Sequence, residues 1–495
     1  MISNNSEVQI HEEIITNRDV LCTSAVSDSL FMPDQNFEFR NKENRKFSSD
    51  SCLLSDNLTF TNNTAKAFIK EALNNSINRS KKWPKNPEIL NSIALKHIRS
   101  GNIDEAITIL DKCISIKGDY FPAIANLAEC YDQKGNTDKA IELYLKLRGS
   151  SNRSIVEIYS NLALLYLKKK NFETSLEYLE KALKISNNNA SILGNIGVVN
   201  LLKGNEDLAI SYLRKSIKIK TNDYQTYNNL GVCYAAKRNI SKALVQFKAA
   251  HRLNNIAKNV IINLSNAYNE LSLYENAIVI LVDYISKFPD DLESRKILCF
   301  SLYKSSRYKR CIQELLKLEE IFDTTDSNEL NSLDNNLAVA YNKIGNTSKA
   351  NFYFSRILKR DNFPENNIFY NILDFQLFTR QFESYNSLLE KRILSSPEDS
   401  FLYFYKGEYF LTKNDYENAK KYFYKSLKLN PKNHKAAISL STILTDVYHN
   451  YSETLFILKN FIVSNPNDRS IRNNYAYCLI QSDNLKEARN ILEET

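Results

Sequence analysis

The chain has 495 residues, 43% of them hydrophobic, with only 10 Gly and 9 Pro. Lys and Arg number 65 against 57 Asp and Glu, a formal charge of +8; because the two signs are interleaved, they read as a solvated surface and argue against nucleic-acid and membrane partners. No run of eighteen apolar residues offers a transmembrane helix, and the start, MISNNSEVQIHEEIITNRDV, lacks the basic opening and apolar core of a secretory signal.

Residues 1–86 are rich in Ser, Asn and Asp, without a sustained apolar period, and read as mostly disordered. Within them TAKAFIKEALNNS, residues 64–76, could form one helix through Ala67, Phe68, Ala72 and Leu73 and cap the region that begins at Pro87. Trp83-Pro84 stops any helix there.

From Pro87 to Thr495 the chain repeats itself. The clearest unit is YQTYNNLGVCYAAKRNISKALVQFKAAHRLNNIA, starting at Tyr224. Counting Tyr224 as position one, large residues fall at four (Tyr227), seven (Leu230), eleven (Tyr234) and twenty-four (Phe247). Small ones fall at eight (Gly231), twenty (Ala243) and twenty-seven (Ala250). That is helical spacing, and it predicts two short amphipathic helices that cross closely where the residues are small. Further units open at Pro87, Phe121, Val156, Ala190, Lys258, Leu292, Asn331, Asn366, Ser400, His434 and Arg469. Gly101, Gly135 and Gly204 stand where a first helix must end; Lys170 replaces glycine at that place in the third unit. An insertion around Thr324-Thr325-Asp326-Ser327 reads as a loop, and Pro289, Pro397, Pro431 and Pro466 close second helices. A hairpin of this size cannot bury its apolar face alone, but a stack can.

Catalytic and metal chemistry find no support. There is no phosphate-binding glycine loop, GxSxG, HExxH or CxxC, and His11, His97, His251, His434 and His449 have no nucleophile or ligand set beside them in sequence. Cys113, Cys130, Cys233, Cys299, Cys311 and Cys478 occupy core positions of the repeat and read as small apolar side chains, so reduced thiols in a cytoplasmic protein are expected, with neither metal nor cofactor.

The 34-residue period, the alternation of small and large residues and the closing prolines resemble the tetratricopeptide repeat. The resemblance covers residues 87–495 in about twelve units. It implies an all-α, right-handed α-solenoid, non-enzymatic, whose first helices line a concave groove that binds proteins or extended peptides. The family places position six on that groove, and here it is Asn126, Asn161, Asn195, Asn229, Asn263, Asn336, Asn371 and Asn474. An amide offers both a donor and an acceptor to a peptide backbone, so such a ladder would read main chain and tolerate many side chains. The groove looks like that of O-linked N-acetylglucosamine transferases, without their catalytic region. Asn is also about one residue in eight of this chain, and local hydrogen bonding inside the hairpins accounts for the pattern equally simply.

Other uses of the repeat are visible too. The carboxylate clamp known in the family fails, because Phe300 follows Lys296 where Asn is needed and Asn367 and Asn371 replace the cations. Phe401, Phe404 and Tyr405 could form an aromatic pocket for an anchor residue. Ile491 and Leu492 near the C-terminal edge could support a homodimer. The sequence therefore reads as a scaffold or adaptor for extended segments of partner proteins. Its alternatives are a substrate-recruiting or regulatory subunit of a separate enzyme such as a glycosyltransferase, and a self-associating structural subunit.

Overall fold

A computed structural model describes residues 85–147, 155–321, 327–361, 364–464 and 469–493. The expected helix at 64–76 and the residues Thr324, Thr325, Asp326 and Pro466 lie outside these. Among the described residues there are twenty-four α-helices and no strand. They fall into two compact units, one running to Ser306 and one starting at Arg307.

The first unit holds α1 (Pro87–Arg99), α2 (Ile103–Ile116), α3 (Phe121–Gln133), α4 (Thr137–Leu147), α5 (Ile155–Lys168), α6 (Phe172–Ile185) and α7 (Ala190–Leu202). It continues with α8 (Glu206–Ile219), α9 (Tyr224–Ala236), α10 (Ile240–Leu253), α11 (Lys258–Glu270), α12 (Tyr274–Lys287) and α13 (Leu292–Lys304). The second holds α14 (Tyr308–Ile321), α15 (Ser327–Lys343), α16 (Thr347–Arg360), α17 (Asn366–Phe378), α18 (Phe382–Ser395) and α19 (Ser400–Thr412). It ends with α20 (Tyr416–Leu429), α21 (His434–Asp446), α22 (Tyr451–Ser464), α23 (Arg469–Gln481) and α24 (Leu485–Glu493).

Ten of the twelve repeats begin on the residue expected. The third starts one residue early, at Ile155. The eighth starts at Ser327 instead of Asn331: Ser327 belongs to the helix and not to a loop, so α15 is lengthened at its N-terminus to 17 residues.

The size alternation does what its chemistry requires. Gly231 in α9 sits against Phe247 in α10, where a Cβ would come within 2.5 Å of the ring, and Gly407 sits against Phe423 in the same way. Leu213 fills the same role beside Gly197. Each first helix then turns into its partner through one left-handed residue. Gly101, Gly135, Gly204 and Gly345 supply it at φ between +77° and +81°, and elsewhere Lys170, Arg238, Ser272, Ser306, Arg380, Asn414, His449 and Asp483 are held there. The following residue is often Asn or Asp, and its side chain caps the second helix: Asn171, Asn239, Asn346 and Asp415 each accept from the backbone three residues on.

First and second helices differ in burial. In α9 ten of thirteen residues are buried, Gln225, Thr226, Asn228 and Asn229 among them, while α10 buries only Ala243, Leu244, Phe247 and Ala250. Second helices are thus amphipathic covers over first helices that are enclosed on several sides.

Candidate peptide-binding site

Position eight of a first helix packs on its own second helix, as Gly231 does on Phe247. Position six is two residues earlier and lies about 160° round the helix axis. The asparagines there face away from their own hairpin, yet all but one are buried: Asn263 and Asn371 have no exposed surface, Asn161, Asn229 and Asn336 are 2–3% exposed, and Asn126 and Asn195 are 7% and 9% exposed. Asn474 is half-buried.

The structure shows what several of these amides do within the protein. Asn126 Nδ2 donates to Asn91 Oδ1 at 2.8 Å, Asn263 Nδ2 to Asn228 Oδ1 at 3.0 Å, and Asn371 Nδ2 to Asn335 Oδ1 at 3.0 Å. In all three a position-six amide meets the position-five amide of the preceding repeat. Asn161 Nδ2 donates to the Tyr144 hydroxyl at 3.1 Å, and Asn474 Nδ2 to Ser441 Oγ at 3.0 Å. One of the two N–H donors on each of these amides is therefore engaged by the neighbouring repeat. Both partners of each rung stand in the sequence, 35 or 36 residues apart. Position five, however, belongs to no part of the small-and-large signature, so the pattern alone does not single it out.

The acceptor side is different. In the first unit Asn229 Oδ1 is buried with no hydrogen-bond partner among the described residues; in the second, Asn336 Oδ1 and Asn371 Oδ1 are in the same state. A buried carbonyl without a donor costs about 1–3 kcal/mol. Near this face an ion pair links successive first helices: Lys168 Nζ holds both oxygens of Asp132 at 2.9 Å, and the Asp132 side chain is almost wholly buried. Such a pair fixes two helices relative to each other more than it adds net stability.

The aromatic cluster of the tenth repeat is filled from within. Tyr405 is 1% and Phe404 8% exposed; Tyr405 stacks on Tyr370 at 5.2 Å, and Phe404 meets Phe423 at 6.0 Å. Both are members of the core around Tyr385 and Phe423. Phe401, half-buried against Tyr370 at 5.7 Å, is the member nearest the surface. The buried Tyr385 hydroxyl is satisfied by donating to the carbonyl of Tyr405 at 2.7 Å. At the C-terminal edge Ile491 packs into the last core cluster, whereas Leu485 and Leu492 are 59% and 45% exposed.

Of the eight cysteines, the six in the repeats are buried and unbridged. Burial pushes the Cys130 thiol up to about 12 and those of Cys113 and Cys478 to about 11, which keeps them protonated and inert. Among the described residues no group of three His, Cys, Asp or Glu side chains could hold a metal ion.

Family models described as tetratricopeptide repeat match residues 78–154, 154–222 and 402–433. With the hairpins, the turn geometry and the Gly231 and Phe247 contact already in place, these matches decide the matter. The chain is built from tetratricopeptide repeats. Several solved structures are similar to parts of it. PilF of Pseudomonas aeruginosa is 18% identical over 46% of this chain and 98% of its own, with a TM-score of 0.37. MamA is 24% identical over 32% of this chain and 94% of its own, at 0.29. YrrB, described as a tetratricopeptide protein with an unusual peptide-binding site, is 19% identical over 38% and 96%, at 0.30. A search of curated proteins finds no match. Tetratricopeptide repeats generally form non-catalytic scaffolds for protein–protein interaction, and no described helix is long and apolar enough to cross a membrane.

Proposed function

We propose that this protein is an adaptor that holds extended segments of partner proteins along the position-six face of its first helices. The observation that carries the reading is the set of buried amide oxygens at Asn229, Asn336 and Asn371 that no group among the described residues satisfies. A peptide backbone presents N–H groups at regular intervals and would satisfy these oxygens without regard to side-chain identity once the buried amides rotate toward it. With one acceptor per rung, each bond worth about 1 kcal/mol net, recognition is weak and tolerant of sequence.

The test uses the full-length chain and a display library of unstructured peptides. Asn229→Ala and Asn336→Ala together remove two oxygens that have no partner among the described residues, so circular dichroism should match the parent. Peptide capture should fall about tenfold, the value of one or two such bonds. Asn126→Ala, which breaks a rung to Asn91 instead, is the control for general loosening. Equal capture by parent and double variant would remove the reading.

A further inference from the structure

The charge excess of the chain is not spread evenly. Residues 203–258 carry eleven Lys and Arg against three Asp and Glu, a local excess equal to that of the whole protein. They run from the turn of the fourth repeat through the fifth to the first residue of the sixth, and the second helices of the fourth and fifth, α8 and α10, turn most of these cations outward. Arg214, Lys215, Lys218, Lys248 and Arg252 are all exposed.

The excess has a pattern. The last turns of α6, α8 and α10 end in Lys184-Ile185, Lys218-Ile219 and Arg252-Leu253, each pair 34 residues after the one before. The three cations are exposed, and so are their apolar neighbours: Ile185 56%, Ile219 40% and Leu253 44%. One turn and more upstream on the same face of α10 lies Val245, 61% exposed and seven residues from Arg252. Three successive repeats thus present a ridge in which basic and apolar side chains alternate. Single exposed apolar residues need no explanation, but a column in register with a column of like charges does.

The chain contains a segment of the opposite character. Residues 1–39 hold seven Asp and Glu against one Arg, and the acids stand beside apolar residues: Glu7-Val8, Glu13-Ile14-Ile15, Asp19-Val20-Leu21 and Phe37-Glu38-Phe39. The forty-odd residues between this segment and α1 can span up to roughly 150 Å when extended, at about 3.3 Å per residue, enough to reach any point on the ridge. Tethering also supplies an effective concentration of about a millimolar, so a weak contact is populated.

We propose that the acidic and apolar segment of residues 1–39 docks within its own chain on the outer ridge formed by Lys184-Ile185, Lys218-Ile219 and Arg252-Leu253. Carboxylates meet the cations, and the adjacent Ile, Val, Leu and Phe side chains cover the apolar column. A nucleic acid would answer the cations but leave Ile185, Ile219 and Leu253 uncovered; an anionic membrane would take both, so the vesicle arm of the experiment separates it from the tethered segment. The ridge lies on second helices, so this contact is separate from the asparagine face and stands or falls without it.

Chymotrypsin reads the contact, because it cuts at Phe31 and Phe37 and ignores changes of charge elsewhere. In the full-length protein, Lys184→Glu with Lys218→Glu and Arg252→Glu should speed cleavage within residues 1–39 about tenfold. Glu12→Lys with Glu13→Lys and Asp19→Lys should do the same, and this variant leaves the repeats untouched, so misfolding cannot mimic it. The two sets combined should restore the parent rate to within about twofold, and about 0.5 M salt should speed the parent alone, since exposed ion pairs are screened. The parent rate should not change with protein concentration. No acceleration in either variant, no rescue in the combination, or a rate that falls with concentration, the mark of a second copy's segment, would each overturn the proposal. So would competition by a single-stranded oligonucleotide or by anionic vesicles that bind the parent tightly but release no segment.

Discussion

Asn263 donates its amide to Asn228, one repeat earlier, at 3.0 Å, and both side chains are fully buried. The same position-six to position-five rung joins Asn126 to Asn91 and Asn371 to Asn335. Removing one partner strands the other in the interior. Asn263→Ala should therefore cost about 1–3 kcal/mol in urea unfolding. Combining Asn263→Ala with Asn228→Ala should cost less than the two separate losses added together, with a coupling of about 1 kcal/mol. Strict additivity would show that the rung contributes nothing.

Gly231 is the tightest close approach in the first unit. A methyl at that position would stand 2.5 Å from Cε1 of Phe247. Helix propensity alone favours alanine, by about 1 kcal/mol, so the sign of Gly231→Ala reports which effect wins. Overpacking at such a contact costs about 1–3 kcal/mol, and the ring that must shift, Phe247, is fully buried. The variant should melt several degrees below the parent, and Gly231→Ala with Phe247→Leu should recover part of the loss.

Arg238 presents the opposite case. It holds φ at +58°, a left-handed conformation that a side chain resists. Arg238→Gly should raise stability by about 1 kcal/mol, read as a shift of the denaturant midpoint at constant slope. A lower midpoint would mean that the Arg238 side chain contributes more than its backbone costs.

Alkaline pH should unfold the protein through its tyrosines. Burial, with Glu88 nearby, pushes Tyr120 up to about 12, and burial with Glu319 nearby does the same to Tyr353. In the unfolded chain both ionise near pH 10. Between about pH 10 and 12 the folded state binds more protons than the unfolded one, so stability falls as pH rises. The tyrosinate absorbance of these residues should appear together with loss of the helical signal. Tyrosinate that forms fully while the helices persist would contradict the buried environment.

The hairpins are legible in the sequence because size alternation has only one good packing solution: Gly231 with Phe247, Gly197 with Leu213 and Gly407 with Phe423 can all be paired from their spacing. The turns are announced by residue type only where glycine marks them. At Lys170 the repeat period locates the turn without one, and at Lys170, Arg238 and Ser272 the left-handed residue is imposed by the helices on either side, with no local preference for it. Ser327 joins its helix because nothing in the insertion forbids continuation, and α15 gains about one turn ahead of Asn331. The asparagines are visible as a ladder but ambiguous in role. One residue type serves at position five, at position six and again as the cap of second helices, at Asn171, Asn239 and Asn346, and only the folded geometry separates a bond to a neighbour from a bond to a ligand.

The rungs between repeats span 35 or 36 residues. Within either unit, then, every hairpin leans on its immediate neighbours and on nothing far along the chain. Such an array behaves mechanically as a row of clasps in series. Pulled from its two ends, a unit should lengthen in discrete steps of about one repeat each, and on release the clasps should close again quickly, because no distant segment has to be found first.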